Sequence, residues 1–467
     1  MLRASSPSFD AGPSGSSARI IDKYTLLPIL ACIYATIAFP LILTSCDATD
    51  SACQLEARPE NKIFWPIMAI VMLVFVVQNW PRLRVPPHIL CLFAYLAFAG
   101  MSMLWAFNSQ ITLVRFMQEA MIISCIVLPA LLSSRNVDMM RGVFLCFALA
   151  ALLNMFYVMV RPPIDVKFAT WGYPGYFAGK NYLGEAAGIT LMLSFHEVLY
   201  RGRRALSIIV AIMSMVLLIL SNSKTALALA ILVPVLAWLT LLIRKRAGLS
   251  VAAIVLAVPL SWIVLSTVTG FNVERLSYML YGDSTFTGRT IIWDFAHSEI
   301  ARKPIAGWGY QSFWLAGPGA PSIVDAPGWV KDMPNAHNGY LDTIVEMGFI
   351  GLALLIGFLV TTLHAIGHMA DRNFARAWGV LSVALYVIIT NGLESLWMRG
   401  FEFLWIIFVI IAAEVGRYWW AVPQMGRQSQ LAGRRPGRPG PLRGARRPLF
   451  VPTRPGIRPR GRVTGLG

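Results

Sequence analysis

Residues 338–367 read NGYLDTIVEMGFIGLALLIGFLVTTLHAIG, a run of 30 residues that contains no Lys or Arg. Its only acids, Asp342 and Glu346, fall in the first third of the run. A helix of this length would extend about 45 Å at about 1.5 Å per residue, whereas the hydrocarbon core of a bilayer is about 30 Å thick. The run is therefore long enough to cross a membrane with its polar end at one surface.

Eleven further apolar stretches are long enough to cross a membrane, some more cleanly than others. They lie at approximately 24–44, 63–80, 88–107, 116–134, 142–160, 180–199, 205–221, 224–243, 249–269, 376–393 and 399–416. Of the 467 residues, 57% are hydrophobic and only 13% are charged, whereas soluble proteins carry about 25% charged residues. This composition excludes soluble enzymes, collagen-like chains and disordered chains. We expect an all-α polytopic membrane protein with ten to twelve transmembrane helices.

The positive charges predict the orientation of these spans, because short cytoplasmic loops are enriched in Lys and Arg. With a cytoplasmic N-terminus, 27 of the 40 Lys and Arg residues fall in the inner segments. We therefore expect a multi-pass protein of the bacterial inner membrane with cytoplasmic N- and C-termini. The predicted parts are an N-terminal segment, 1–23, a transmembrane domain, 24–416, with a large periplasmic loop at 271–337, and a disordered Arg-, Pro- and Gly-rich cytoplasmic tail, 417–467.

The net charge of +17 does not indicate a nucleic-acid-binding surface, because most of the charge is in the tail. Residues 417–467 hold 12 Arg and no acid, so a segment attracted to anionic lipid headgroups is the simpler interpretation. We therefore expect the membrane, and no nucleic acid, among the partners. In the first outer loop, Cys46 and Cys53 either form a disulfide in an oxidising compartment or remain free thiols.

The start of the 338–367 run carries the most informative polar residues. Asp332 or Asn335 can cap a helix there, with Pro334 in its first turn, which places His337 at the outer interface. The positive end of that helix would meet an anionic headgroup. Three polar residues share one face of the predicted helix: Asn338, Asp342 and Glu346. Helix capping and interhelical hydrogen bonding explain the same residues without a catalytic role.

Three basic residues at predicted outer helix ends are candidate phosphate contacts. Arg289 opens an amphipathic stretch, where a guanidinium and free backbone N–H groups can hold a phosphate; the alternative is an interfacial anchor. Lys180 and Lys224 stand at the outer ends of two spans. Lys224 can also snorkel to the interface with no further role.

An aromatic turn, PIAGWGYQSFW at 304–314, and the nearby Asn338 and Tyr340 are candidate sugar contacts. Rings such as Trp308, Tyr310 and Trp314 stack on sugar faces, but Trp and Tyr also belong at membrane interfaces. On the inner side, His364 and His368 have the spacing of a metal pair without a third ligand nearby. We expect neither a metal site nor a cofactor.

These residues resemble the bacterial O-antigen ligase and polysaccharide polymerase superfamily, and most closely its ExoQ-type exopolysaccharide polymerases. The resemblance covers roughly residues 170–410. It is most specific in TGR at 287–289 with Trp293, in residues 304–314, and in AHNGYL at 336–341 followed by Glu346 and Gly348. Several relatives have Arg where this chain has Lys224.

The resemblance implies a metal-independent glycosyltransferase with a multispanning fold of the GT-C kind, acting on undecaprenyl-pyrophosphate-linked oligosaccharide at the outer face. Such a reaction needs a base for the acceptor hydroxyl and cations for the departing pyrophosphate. His337 is then the expected base, with Asp342 and Glu346 orienting it or the acceptor. The expected pyrophosphate contacts are Arg289, Lys180 and Lys224.

The leading expectation is a polymerase that joins lipid-linked repeat units into exopolysaccharide. The alternative is an O-antigen ligase that transfers the glycan to lipid A core, and a polysaccharide transporter is a third hypothesis. A flippase and a chain-length regulator would be natural functional partners.

Overall fold

The computed structural model describes residues 19–44, 58–162, 171–272, 275–276, 278–279 and 288–420. Cys46, Cys53 and almost all of the predicted tail lie outside the described residues, so those expectations stay predictions. Within the described part the secondary structure is helical and contains no strand.

Each of the twelve predicted spans corresponds to one helix. In the described part of the large loop lies one further long helix, beside two short helical segments, Pro321–Val324 and Gly328–Asp332. The helices are α1 (Leu26–Leu43), α2 (Pro59–Asn79), α3 (Pro87–Met101), α4 (Ser109–Leu132), α5 (Met139–Val160), α6 (Lys180–His196), α7 (Arg204–Leu220), α8 (Lys224–Ala247), α9 (Val251–Thr269), α10 (Arg289–Arg302), α11 (Gly339–Ala370), α12 (Phe374–Thr390) and α13 (Phe403–Trp419). The long helix in the 271–337 loop is α10.

Eight of the described helices are long and apolar enough to cross a membrane: α1 to α5, α8, α9 and α11. Two more, α7 and α12, are apolar but shorter. The protein is therefore an all-α polytopic membrane protein, as predicted, whereas the predicted count of ten to twelve spans stays a prediction.

Helix α13 lies at the centre of the bundle, where it packs against α4, α11 and α12. Its residues from Phe403 to Arg417 are all buried, which fits a helix that is apolar on every face. Arg417 forms a buried ion pair with Glu414 inside this helix. The helix therefore continues to Trp419, slightly beyond the predicted start of the tail at 417.

Helix α11 is not the straight rod that its sequence predicted. Gly348 has φ 65° and ψ −169° and interrupts the helical geometry, so the polar turns 339–347 form a separate segment. A Cβ at Gly348 would lie 2.1 Å from the carbonyl oxygen of Ile305. The aromatic loop enters this break: Trp308 N–H donates to the carbonyl of Val345 at 2.9 Å, and Phe349 N–H donates to that of Pro304 at 2.8 Å.

The start of α11 also differs from the prediction. The capping residue is Asn338, whose side-chain oxygen accepts from the backbone N–H groups of Tyr340 at 3.1 Å and Leu341 at 3.2 Å. Neither Asp332 nor Asn335 caps the helix, and Pro334 lies before its first turn. Because Asn335 instead forms a turn with its own neighbours, the helix begins four residues later than that residue.

Candidate active site

His337 occupies a strained position between two turns. Its φ of 48° is in the left-handed region, which costs free energy for a residue with a side chain and is common at functional sites. On one side its backbone N–H donates to Asn335 Oδ1 at 2.9 Å. On the other side stands the cap residue Asn338. The two asparagines therefore fix the backbone on both sides of His337.

The segment between α12 and α13 holds His337 from the opposite side. Gly339 N–H points at the carbonyl oxygens of both Asn391 and Glu394, at 2.8 and 3.0 Å. Asn338 N–H donates to Ser395 Oγ at 3.0 Å. A Cβ at Gly339 would lie 2.3 Å from Asn391 Oδ1, so only glycine permits this approach.

Glu394 is the residue that joins the predicted base to a predicted phosphate contact. Its Oε2 lies 3.0 Å from His337 Nδ1. Its Oε1 accepts from the Arg289 guanidinium at 3.0 Å and from Asn181 Nδ2 at 3.2 Å. No hydrogen bond to His337 Nε2 comes from the residues that the structure describes, so this nitrogen is placed to accept a proton.

Sequence reasoning missed Glu394, although the sequence contains a signal for it. It is the first residue after the predicted span 376–393, in a short outer loop between two apolar helices. A carboxylate there is costly unless it is paired. This reasoning identifies the loop that contains Glu394. It does not identify the partners of Glu394, because His337 and Arg289 are distant from it in the chain.

The three predicted phosphate contacts each open a helix: Lys180 opens α6, Lys224 opens α8 and Arg289 opens α10. Free N–H groups and the helix dipole favour an anion at such ends. The ends of α6 and α8 are joined by the contact of Ser223 Oγ with Asn181 Oδ1 at 3.5 Å. A cavity of about 40 Å³ lies among these ends, lined in part by Asn181, Ser223, Arg289 and Glu394.

Helix α10 lies against the His337 segment as an amphipathic helix. Its predicted apolar face is buried, namely Ile292, Phe295, Ala296 and Ile300. Trp293 Nε1 donates to the carbonyl of Ala336 at 2.9 Å, one residue before His337. This contact fixes the first turn of α10, and with it Arg289, relative to the base.

Asp342 and Glu346 lie elsewhere and do not contact His337. Asp342 accepts from Trp314 Nε1 at 2.7 Å and from the N–H of Ala336. Glu346 accepts from Arg399 at 2.7 Å and from the N–H of Gln311 at 3.0 Å. Although burial opposes its charge, these two carboxylates hold the pKa of Arg399 above its ordinary value. Both acids therefore anchor the aromatic loop.

The predicted sugar contacts divide into packed and accessible rings. Tyr310 is buried and its hydroxyl donates to the carbonyl of Met398 at 2.6 Å, while the Tyr340 hydroxyl donates to that of Ile388. Trp308 is half-buried, with Lys303 Nζ 4.0 Å from its ring centre. Trp314 lines a second, larger cavity.

The larger cavity has a volume of about 540 Å³. Pro334 and Asn335, which precede the base, form part of its wall, as does Ser395, which follows Glu394. Burial raises the pKa of Glu402, another lining residue, to about 7. Glu394 lines the small cavity together with Arg289, and the next residue in the chain, Ser395, lines the large one.

Comparison with known proteins shows what the chain is similar to. The family model described as O-antigen ligase matches residues 208–356, which include Lys224, Arg289 and His337. The chain is 26% identical over 287 residues to the exopolysaccharide production protein ExoQ of Rhizobium meliloti, covering 58% of this chain and 64% of that relative.

Two further relatives, from Rickettsia conorii and Rickettsia bellii, have names that class them provisionally as polysaccharide ligases. The first is 28% identical over 113 residues and the second 26% identical over 126 residues. These matches cover 23% and 26% of this chain, and 28% and 31% of the relatives. The chain thus spans less than two thirds of each of these three relatives. The resemblance drawn from the sequence is confirmed: the chain is similar to the O-antigen ligase family model and to the ExoQ exopolysaccharide production protein.

Proposed function

We propose that this protein polymerises undecaprenyl-pyrophosphate-linked oligosaccharide repeat units into exopolysaccharide. The observation that carries the proposal is the Glu394 carboxylate, which bonds His337 through one oxygen and Arg289 through the other. A base and a phosphate-binding cation are thereby held at one place. Glycosyl transfer from a pyrophosphate donor needs both.

In the proposed step, an acceptor hydroxyl loses its proton to His337 Nε2 while its oxygen attacks the anomeric carbon of the donor. The new carbon–oxygen bond forms as the bond to the pyrophosphate oxygen breaks, with inversion at that carbon. Glu394 orients the ring through Nδ1 and stabilises the imidazolium. Arg289, Lys180 and Lys224 take up the negative charge of the leaving pyrophosphate, and we propose that this step needs no metal ion.

The distribution of Lys and Arg supports a reaction at the outer face of the cytoplasmic membrane. The donor would then arrive by way of a flippase, and a chain-length regulator would be a natural second partner. Both chain termini would lie in the cytoplasm.

A polymerase is favoured over a ligase because the similarity to ExoQ extends over 58% of this chain, more than twice the share covered by either Rickettsia protein. The ligase alternative, with lipid A core as acceptor, is supported by the names of those two proteins and by the family model. The two activities differ only in the acceptor.

The deciding experiment is a gel of products from the purified protein in lipid nanodiscs, supplied with the host's lipid-linked repeat unit and EDTA. We expect a ladder from the wild type and none from His337→Ala. His297→Ala is the matched control, because His297 is an exposed histidine on α10. A product that forms only when lipid A core is added would identify a ligase. No product with either acceptor would refute glycosyl transfer.

A further inference from the structure

The 540 Å³ cavity is separate from the small cavity beside Arg289, because the two share no lining residue. Its volume is typical of small-molecule sites, which span about 300–1,000 Å³. Asn335, whose side chain fixes the backbone of His337, forms part of its wall, together with Ser395, which follows Glu394. The cavity therefore borders both segments that carry the candidate base and its carboxylate partner.

The charges around the cavity do not suit a pyrophosphate. Arg399 is held by Glu346 at 2.7 Å and by Asp342 at 3.5 Å. Arg115 donates to the backbone carbonyl of Gln311. Two acids, Glu119 and Glu402, line the same cavity. Lys180 and Lys224, at the starts of α6 and α8, form no ion pair with any residue that the structure describes, so their charges remain available to an anionic group.

One carboxylate oxygen in the cavity wall has no partner. Glu119 is 1% exposed, and its Oε1 accepts from Trp405 Nε1 at 2.6 Å. Its Oε2 is buried and makes no hydrogen bond within the described part of the chain. Leaving such a group unpaired costs about 1–3 kcal/mol, which a ligand with hydroxyl groups would recover.

The rest of the lining fits a sugar. The lining includes planar polar side chains, which can bind pairs of hydroxyl groups. It also includes the aromatic residues Phe39, Phe177 and Trp314. Glu402 accepts from the Tyr182 hydroxyl at 3.1 Å. Because burial raises the pKa of Glu402 to about 7, near neutral pH this carboxyl group exists in both a donating and an accepting form.

We infer that this cavity is the acceptor subsite, and that Glu119, Glu402 and Arg115 bind the hydroxyl groups of the acceptor's terminal sugar. The inference rests on the proposed glycosyl transfer and adds the place of the second substrate. It separates two sets of residues: those at the starts of α6, α8 and α10 hold the donor, and those on α4 and before α13 hold the acceptor.

The test uses the full-length protein in nanodiscs and two probes made from the host's repeat unit. The donor is the lipid-linked unit, held at a saturating concentration. The acceptor is the same oligosaccharide released from its lipid, which accepts but cannot donate, and mass spectrometry measures transfer to it. We expect Glu119→Gln and Glu402→Gln to raise the acceptor KM about tenfold or more, with the donor KM unchanged. Glu60→Gln, an exposed carboxylate on α2, is the control and should leave both constants unchanged.

A binding measurement keeps this inference separate from the proposed function. The released oligosaccharide, carrying a photoreactive diazirine at its non-reducing end, is irradiated with the protein in the absence of donor. We expect labelling of α4 or of residues 395–402 in the wild type and in His337→Ala, with loss of labelling in Glu119→Gln. Labelling without transfer would support the subsite and refute the proposed function. Transfer with an unchanged acceptor KM, or labelling elsewhere, would overturn the subsite and leave the proposed function standing.

Discussion

Replacing Glu394 with Gln tests the central feature of the candidate site with little change in shape. Each carboxylate oxygen takes part in one charge-assisted hydrogen bond, to His337 at 3.0 Å and to Arg289 at 3.0 Å. Such bonds contribute about 1.5–3 kcal/mol each. The lower value of this range applies because the Glu394 carboxylate is 21% exposed. Loss of both hydrogen bonds therefore costs about 3 kcal/mol. That loss corresponds to a rate reduced about 100-fold.

The assay is the initial rate of ladder formation at saturating donor, divided by the amount of folded protein. Glu394→Gln should lower this specific rate, because His337 and Arg289 lose their shared anionic partner. A residue that only supported the fold would lower the amount of folded protein without changing the specific rate. Glu394→Asp tests the geometry, and Glu60→Gln is the exposed control. A Gln variant whose specific rate is within threefold of the wild-type value would refute the role assigned to Glu394.

Three further predictions concern the fold around the site. Glu346→Gln leaves the half-buried Arg399 short of a counter-charge, so the free energy of unfolding should fall by about 3 kcal/mol, measured by denaturation in detergent; an unchanged value would contradict the assigned ion pair. Gly348→Ala places a Cβ against a backbone carbonyl at positive φ and should cost about 2 kcal/mol or more. Gly357→Ala, on the same helix with open space at its Cβ, is its control and should not destabilise; equal effects at both glycines would argue against the break in α11. The raised pKa of Glu402 means that the folded state binds its proton more tightly than the unfolded state. Its contribution to stability is then complete below about pH 4.5 and is lost as the pH rises through about 7. Glu402→Gln should therefore melt above the wild type by a margin that grows between about pH 4.5 and pH 7 and levels off at higher pH, and a margin that stays constant across that range would contradict the shift.

The helices could be predicted from the sequence because each depends on its own residues. Long apolar runs predicted all twelve positions, including those of α6 and α13. The buried face of α10 followed equally from its spacing. Such features need no knowledge of distant parts of the chain, since local periodicity and length determine which residues enter an apolar environment.

The break in α11 could not be predicted in this way. Gly348 stands in an apolar run that is otherwise well suited to a continuous helix. It departs from helical geometry because residues 304–309, about 40 positions earlier, donate and accept at the backbone groups that the break exposes. A lone glycine in a helical pattern gives no indication of which segment will contact it.

Only part of the candidate site could be predicted, because some of its contacts also join distant parts of the chain. His337 and Arg289 were recognisable because each lies in a distinctive local pattern. Asp342 and Glu346 were assigned to the base because they share a helix face with its neighbour Asn338, whereas their partner is Arg399, which follows α12. Glu394 and Arg399 lie on one short segment, and only the packing of that segment against α11 decides which acid faces which cation.

The Glu394 carboxylate contacts both His337 and Arg289. A change in one of these contacts should therefore affect the other. When a donor pyrophosphate draws Arg289 towards itself, Glu394 Oε1 gives up that partner while Oε2 keeps its contact with His337 Nδ1. By thermodynamic reciprocity, a change in the contact of His337 with Glu394 also changes how readily Arg289 turns to the phosphate. Donor binding and the orientation of the base should thus be coupled through this one side chain. Such a site favours ordered addition, with the donor first and the acceptor second.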